Sequence, residues 1–219
     1  MVDKDVKLPE ERKTSAETLE ADTLEVLADL NHASQKGLQT MFDSSVGRST
    51  VNHPLGGRYQ ITPTEASVQK LPVQYGVTTT ASVIAQGFNP YIAEWSPYHG
   101  AAYAVIEATA RLVAVGANWS KARFSYQEYF ERMDKKAERF GQPVSALLGS
   151  IEAQIQLGLP SIGGKDSMSG TFEELTVPPT LVAFGVTTAD SRKVLSPEFK
   201  AAGENIYYIP GQALAQEID

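Results

Sequence analysis

From Val77 to Phe88, apolar and polar residues alternate. Val77, Thr79, Ala81, Val83 and Ala85 fall on one side, and Thr78, Thr80, Ser82, Ile84 and Gln86 on the other. A period of two predicts a strand that buries one face more than the other. From Thr180, TLVAFGVTT meets no further polar residue until Thr187, which predicts a second and more deeply buried strand. KARFSY (Lys121–Tyr126) and ENIYYIP (Glu204–Pro210) are weaker strand candidates.

The helical period appears elsewhere. WSPYHGAAYAVIEATARLVAVGAN carries Ser96 as an N-cap, Pro97 at the first helical position and Gly116 as a stop. PVSALLGSIEAQIQLGLP predicts a second helix. Val144, Leu147, Leu148, Ile151 and Ile155 form its inner stripe, and Gly158 and Pro160 close it. A shorter helix is expected within Gln127–Phe140, and an acidic amphipathic helix, docked by Leu19, Thr23, Val26, Leu27 and Leu30, over Ser15–Leu30. The Gly-, Ser-, Thr- and Pro-rich stretch His32–Ser67 predicts loop or irregular extended chain. The order of elements predicts an α/β (α+β) domain in which helices cover a mixed or antiparallel sheet.

Composition narrows the function. The chain has 219 residues, with 19 basic and 26 acidic side chains and a net charge of −7. An acidic chain lacks the basic patch that grips a nucleic-acid backbone. No apolar run approaches the length of a membrane span, and the opening MVDKDVKLPEERK has no signal-peptide core, so a cytoplasmic protein is expected. Cysteine is absent, which excludes disulfides, thiolate metal sites and a cysteine nucleophile in this chain.

Three stretches carry candidate chemistry. The first is LPSIGGKDSMSGTF, Leu159–Phe172. The phosphate-loop pattern GxxxxGK[ST] needs glycine where Leu159 stands and serine or threonine where Asp166 stands, so it does not match. A tight glycine turn with Lys165 and Asp166 in solvent explains the stretch equally well. The second is one side of the long helix, where Gly100, Tyr103, Glu107 and Arg111 align, apart from the stripe Ala101, Val105, Thr109 and Leu112. Glu107 can pair with Arg111, for about 0.3–0.5 kcal/mol, or offer hard oxygens to a divalent cation. The third is Glu65, an acid after Pro63 that solvation alone would explain. His32, His53 and His99 show no catalytic pattern, and no catalytic residue is assigned.

Beyond these stretches, the runs DLNHASQKGLQTMFDSSVG, PLGGRYQITPTEASVQKLPV, GFNPYIAEWSPYHGAAYAVIEA, SYQEYFERM and LPSIGGKDSMSGTFEELTVPPTLVAFGVTTADSRKVLSPEFK closely resemble phosphoribosylformylglycinamidine synthase in its large, single-chain form. The likeness covers about Asp29 to Pro210. That resemblance implies an ATP- and glutamine-dependent ligase that makes formylglycinamidine ribonucleotide from formylglycinamide ribonucleotide in purine biosynthesis. Its core has two halves resembling aminoimidazole ribonucleotide synthetase, whose N-terminal domains pair their sheets into a barrel. One half performs chemistry and the other holds a nucleotide and magnesium in a largely structural role.

The chain looks like the N-terminal domain of the second half. Residues 1–30 are then a flexible lead and helix, 31–199 the domain, and 200–219 the start of a following domain. The first half and the glutaminase module, which uses a cysteine, are absent, so activity alone is not expected. The resemblance implies Mg²⁺ on Glu65, Glu107 and Asp166, and the phosphates of ATP or ADP on Lys165, Ser167 and Ser169. Four residues after Glu107 the family often has an asparagine ligand. Arg111 stands there instead, and a guanidinium cannot ligate a cation. A related synthetase that turns over by itself, or a non-enzymatic assembly module with a degenerate site, are the alternatives. The edge of the Val77–Phe88 strand is expected to pair with the absent half, or with a second copy in a homodimer.

Overall fold

The computed structural model describes residues 15–30, 32–42 and 49–207. The elements run α1 (Leu19–Ala28), α2 (Lys36–Phe42), β1 (Thr50–Asn52), β2 (Leu55–Gly56), β3 (Thr62–Pro63), β4 (Ser67–Lys70), β5 (Thr80–Gly87), α3 (Pro90–Trp95) and α4 (Pro97–Ala114). They continue with β6 (Arg123–Tyr129), α5 (Ala137–Leu157), β7 (Ser161–Ser167), β8 (Thr171–Phe172), β9 (Leu175–Thr176) and β10 (Thr180–Asp190). Six strands form one sheet in the order β1-β4-β5-β10-β6-β7, and β2–β3 and β8–β9 are small ribbons. All neighbours in the large sheet are antiparallel except β6 and β7, the pair joined by the α5 crossover. The expected mixed sheet with helices is thus present. No helix among the described residues is long and apolar enough to cross a membrane.

The alternation in β5 does what its period demands. Ala81, Val83 and Ala85 are buried against α4, while Ile84 and Gln86 face outward. Val77 lies outside the strand and is exposed. β10 takes the centre of the sheet, between β5 and β6, and buries Leu181 and Ala183. Its other face is more open, with Val186 exposed. On the covered side, Ala101, Ala104, Val105, Ala108 and Leu112 of α4 complete the core with Val68 and Phe124. α4 is bounded as its caps predict. The Ser96 hydroxyl accepts from the His99 amide at 3.3 Å, Pro97 opens the helix, and Gly116 has φ +80°. Just before it, α3 is capped by Asn89, whose side chain accepts from the amides of Tyr91 and Ile92.

α5 reverses the expected facing. Val144, Leu147, Leu148, Ile151 and Ile155 are between 40% and 70% exposed. The buried positions are Pro143, Ala146, Gly149, Ser150, Ala153 and Gln154. The cause is the closeness of α4: a Cβ on Gly149 would collide with the Tyr98 carbonyl oxygen. Where two helix backbones come that near, only small residues fit the seam.

Other expectations are also corrected. The short helix within Gln127–Phe140 is absent as such: Gln127–Tyr129 end β6 and helix begins only at Ala137. The segment read as a glycine turn is β7, with Ser125 opposite Gly163 and Tyr129 opposite Ser167. β5 offers no edge for a partner, because β4 and β10 flank it, and among the described residues the sheet ends on β1 and β7. α1 has no buried residue, so its apolar side is not docked on the described residues. His32–Ser67 holds short strands and α2 as well as loops. Glu204–Tyr207 form no strand, and the rest of ENIYYIP and the lead 1–14 lie outside the described residues.

Candidate functional site

A polar cleft of about 500 Å³ opens beside the outer face of β4 and β5. Asn52, Thr64, Glu65, Gln69, Gln86 and Arg111 are among its walls. Helical spacing sets Arg111 one turn beyond Glu107 on the side of α4 that passes the end of β5. The Arg111 guanidinium touches three oxygens from three segments. Nε lies 3.1 Å from Glu65 Oε2, one terminal nitrogen donates to Glu107 Oε1 at 2.8 Å, and the other donates to the Gln86 carbonyl at 3.2 Å. The second Glu107 oxygen accepts from the Phe88 amide at 2.8 Å. Nearby, Ser49 and Thr50 both donate to Gln69 Oε1, and the Thr64 hydroxyl bonds the His53 carbonyl.

Glu65 and Glu107 are therefore brought together, and an arginine stands between them. Two carboxylates and one guanidinium leave a single net negative charge. Guanidinium has no lone pair to give a metal, and its charge repels one. The arrangement does not fit a resident Mg²⁺ at this pair.

Asp166 is elsewhere. It lies on β7, and β5, β10 and β6 separate that strand from β4, beside Glu65. At the usual strand spacing that is roughly 19 Å. Among the described residues no group of three His, Cys, Asp or Glu side chains can hold a metal ion. Asp166 instead pairs in register with Glu128. Burial first, and the Asp166 charge second, push the Glu128 carboxyl above its ordinary value.

Lys165 is exposed and donates to the Asp166 carbonyl at 2.7 Å, while the Gln127 side chain donates to the Lys165 carbonyl at 3.0 Å. Ser167 is half-buried and ends β7, and Ser169 is exposed beyond it. The six candidate residues thus divide between the Arg111 cleft and the β7 edge.

His99 is a packing residue. Its Nδ1 lies 2.7 Å from the Ser96 hydroxyl, its ring rests near Trp95 and Tyr98, and burial lowers its pKa. Sequence reasoning missed the Gln86 carbonyl and the Phe88 amide, because backbone groups leave no mark in residue type. It also missed Asn52 and Gln69, whose convergence is tertiary.

No family model matches the chain. It is 25% identical over 209 residues to the phosphoribosylformylglycinamidine synthase subunit PurL of Thermococcus sibiricus, a match covering 94% of this chain and 26% of that protein. The structure of PurLQS from Thermotoga maritima superposes with a TM-score of 0.61 at 20% identity, over 76% of this chain and 25% of that one. T. maritima PurL complexed with ADP gives 0.60 at 19% identity, over 78% and 26%. At such identities the solved structures speak to fold. The chain spans about a quarter of the length of the curated relative it matches.

Proposed function

Because the chain is a relative of the phosphoribosylformylglycinamidine synthases, we propose that it is one domain of such a ligase, the N-terminal domain of the second synthetase-like half. In this reading residues 31–199 are the domain and 200–219 begin the next. The assembled cytoplasmic enzyme converts formylglycinamide ribonucleotide to formylglycinamidine ribonucleotide with ATP and glutamine. This domain contributes a nucleotide site of structural weight, while a first half and a glutaminase module supply the rest. The observation that carries the proposal is the match of 94% of the chain to a single stretch of a PurL subunit. The T. maritima complex with ADP supports the nucleotide part by analogy.

The Arg111 cleft has the volume of a small-ligand pocket, but its two carboxylates and its distance from β7 set it apart from the proposed phosphate contacts. Lys165, Ser167 and Ser169 remain proposed phosphate contacts, and Asp166 the proposed acid beside them, on an edge that needs the rest of the enzyme to close over it. Calorimetry with ADP tests the nucleotide part, with saturable binding expected. Absence of binding, with or without Mg²⁺, would favour the assembly-module alternative, for which Arg111 filling the gap between the two acids already speaks. The ligase part is tested by co-expressing the chain with a synthase that lacks this domain. Restored formation of the amidine is expected, and activity of the chain by itself is not. In isolation the open sheet face around Ile84 and Val186 is proposed to pair with a second copy, which sedimentation would register.

A further inference from the structure

We infer that Arg111 is the built-in cation of the cleft, and that it determines the cleft's selectivity by excluding divalent ions. Glu65 Oε2, Glu107 Oε1 and the Gln86 carbonyl oxygen converge on one group from three separate segments. Hard oxygens converging in this way are what a divalent ion asks of its ligands. Here all three are engaged by a guanidinium instead. The remaining Glu107 oxygen is taken by the Phe88 amide, so that carboxylate cannot swing away without losing a second bond. Arg111 also sits in the last turn of α4, where the helix dipole favours a fixed positive charge.

The exclusion is electrostatic as well as steric. An entering ion would meet a like charge within contact distance and would have to displace it. A lysine would retain the charge but lose the fork that reaches three oxygens at once. The inference also stands apart from the ligase reading. Its test uses Mn²⁺ alone, with no nucleotide or substrate, so failure here leaves that reading untouched.

The test is Mn²⁺ titration of the purified chain, followed by the electron paramagnetic resonance signal of the free ion, for wild type, Glu107→Gln, Arg111→Lys, Arg111→Gln and Arg111→Gln/Glu107→Gln. Wild type, Glu107→Gln and Arg111→Lys should show the same weak surface binding. Arg111→Gln should bind at least about tenfold more tightly, and the double variant should lose that gain. Wild-type binding that Glu107→Gln removes would overturn the inference. So would an Arg111→Gln protein that is folded by circular dichroism yet binds no better than wild type. Should Arg111→Gln fail to fold, the comparison of wild type with Glu107→Gln and Arg111→Lys decides alone: equality supports the inference, and a difference sinks it.

Discussion

Tyr126 puts a hydroxyl into the core, and that hydroxyl has no hydrogen-bond partner among the described residues. Its ring stacks on Phe124 at 6.1 Å, which is what the position is for, while burial pushes the phenol far up. Removing the oxygen removes an unsatisfied polar atom, so Tyr126→Phe should stabilise the fold by about 1 kcal/mol in urea denaturation. Two residues on, Glu128 is 8% exposed and its folded pKa is raised above the ordinary 4.5 by burial and then by Asp166. The folded state therefore binds the proton more readily than the unfolded chain. Stability falls as pH rises from the ordinary value through the raised one, and the cost of the charge is complete above it. Glu128→Gln should stabilise the fold at neutral pH and change nothing well below 4.5. Paired denaturation curves at the two pH values check it. At this scale, sequence showed one of the three arms of Arg111. The Glu107 pair follows from helical spacing, but Glu65 and Gln86 arrive only through the fold.

Among the elements, those with one buried face and clean punctuation were legible. β5 follows its alternation, and α4 follows its serine cap and proline start. α5 was legible as a helix and illegible in its facing. Large aliphatic side chains normally mark the inside, but here the approach of α4 leaves room only for Ala146, Gly149, Ser150 and Ala153. The strand candidate Lys121–Tyr126 was borne out over Arg123–Tyr126, but charge hid the rest of β6, since RFSYQEY alternates and places Glu128 on the buried side. The α4–α5 seam makes a contrast that can be measured. Gly149→Val should destabilise by about 1–3 kcal/mol or unfold the chain, through overpacking against Tyr98. Ile151→Gln, on the outer row, should cost less than about 0.5 kcal/mol in the isolated chain. Equal losses in chemical denaturation would mean that Ile151 is as closely packed as Gly149, against the facing of α5.

Across the whole molecule, the sheet order decides which residues can cooperate. Reading Glu65, Glu107 and Asp166 as one ligand set supposed a short path between them. The return of β10 to the centre of the sheet, between β5 and β6, instead drives Asp166 to the far edge. Nothing in residue spacing foretells that, because strand order is set by which crossovers pack, not by where charges fall. The same layout leaves the outer row of α5 and the open sheet face, with Ile84, Tyr129 and Val186, in contact with water. Hydrocarbon already wet in the native state contributes nothing new when the chain melts. The heat-capacity step on unfolding should therefore fall below the usual ~12–15 cal/mol/K per residue, as scanning calorimetry would read it. A shallow step flattens the curve of free energy against temperature, so this chain should lose little of its stability on cooling.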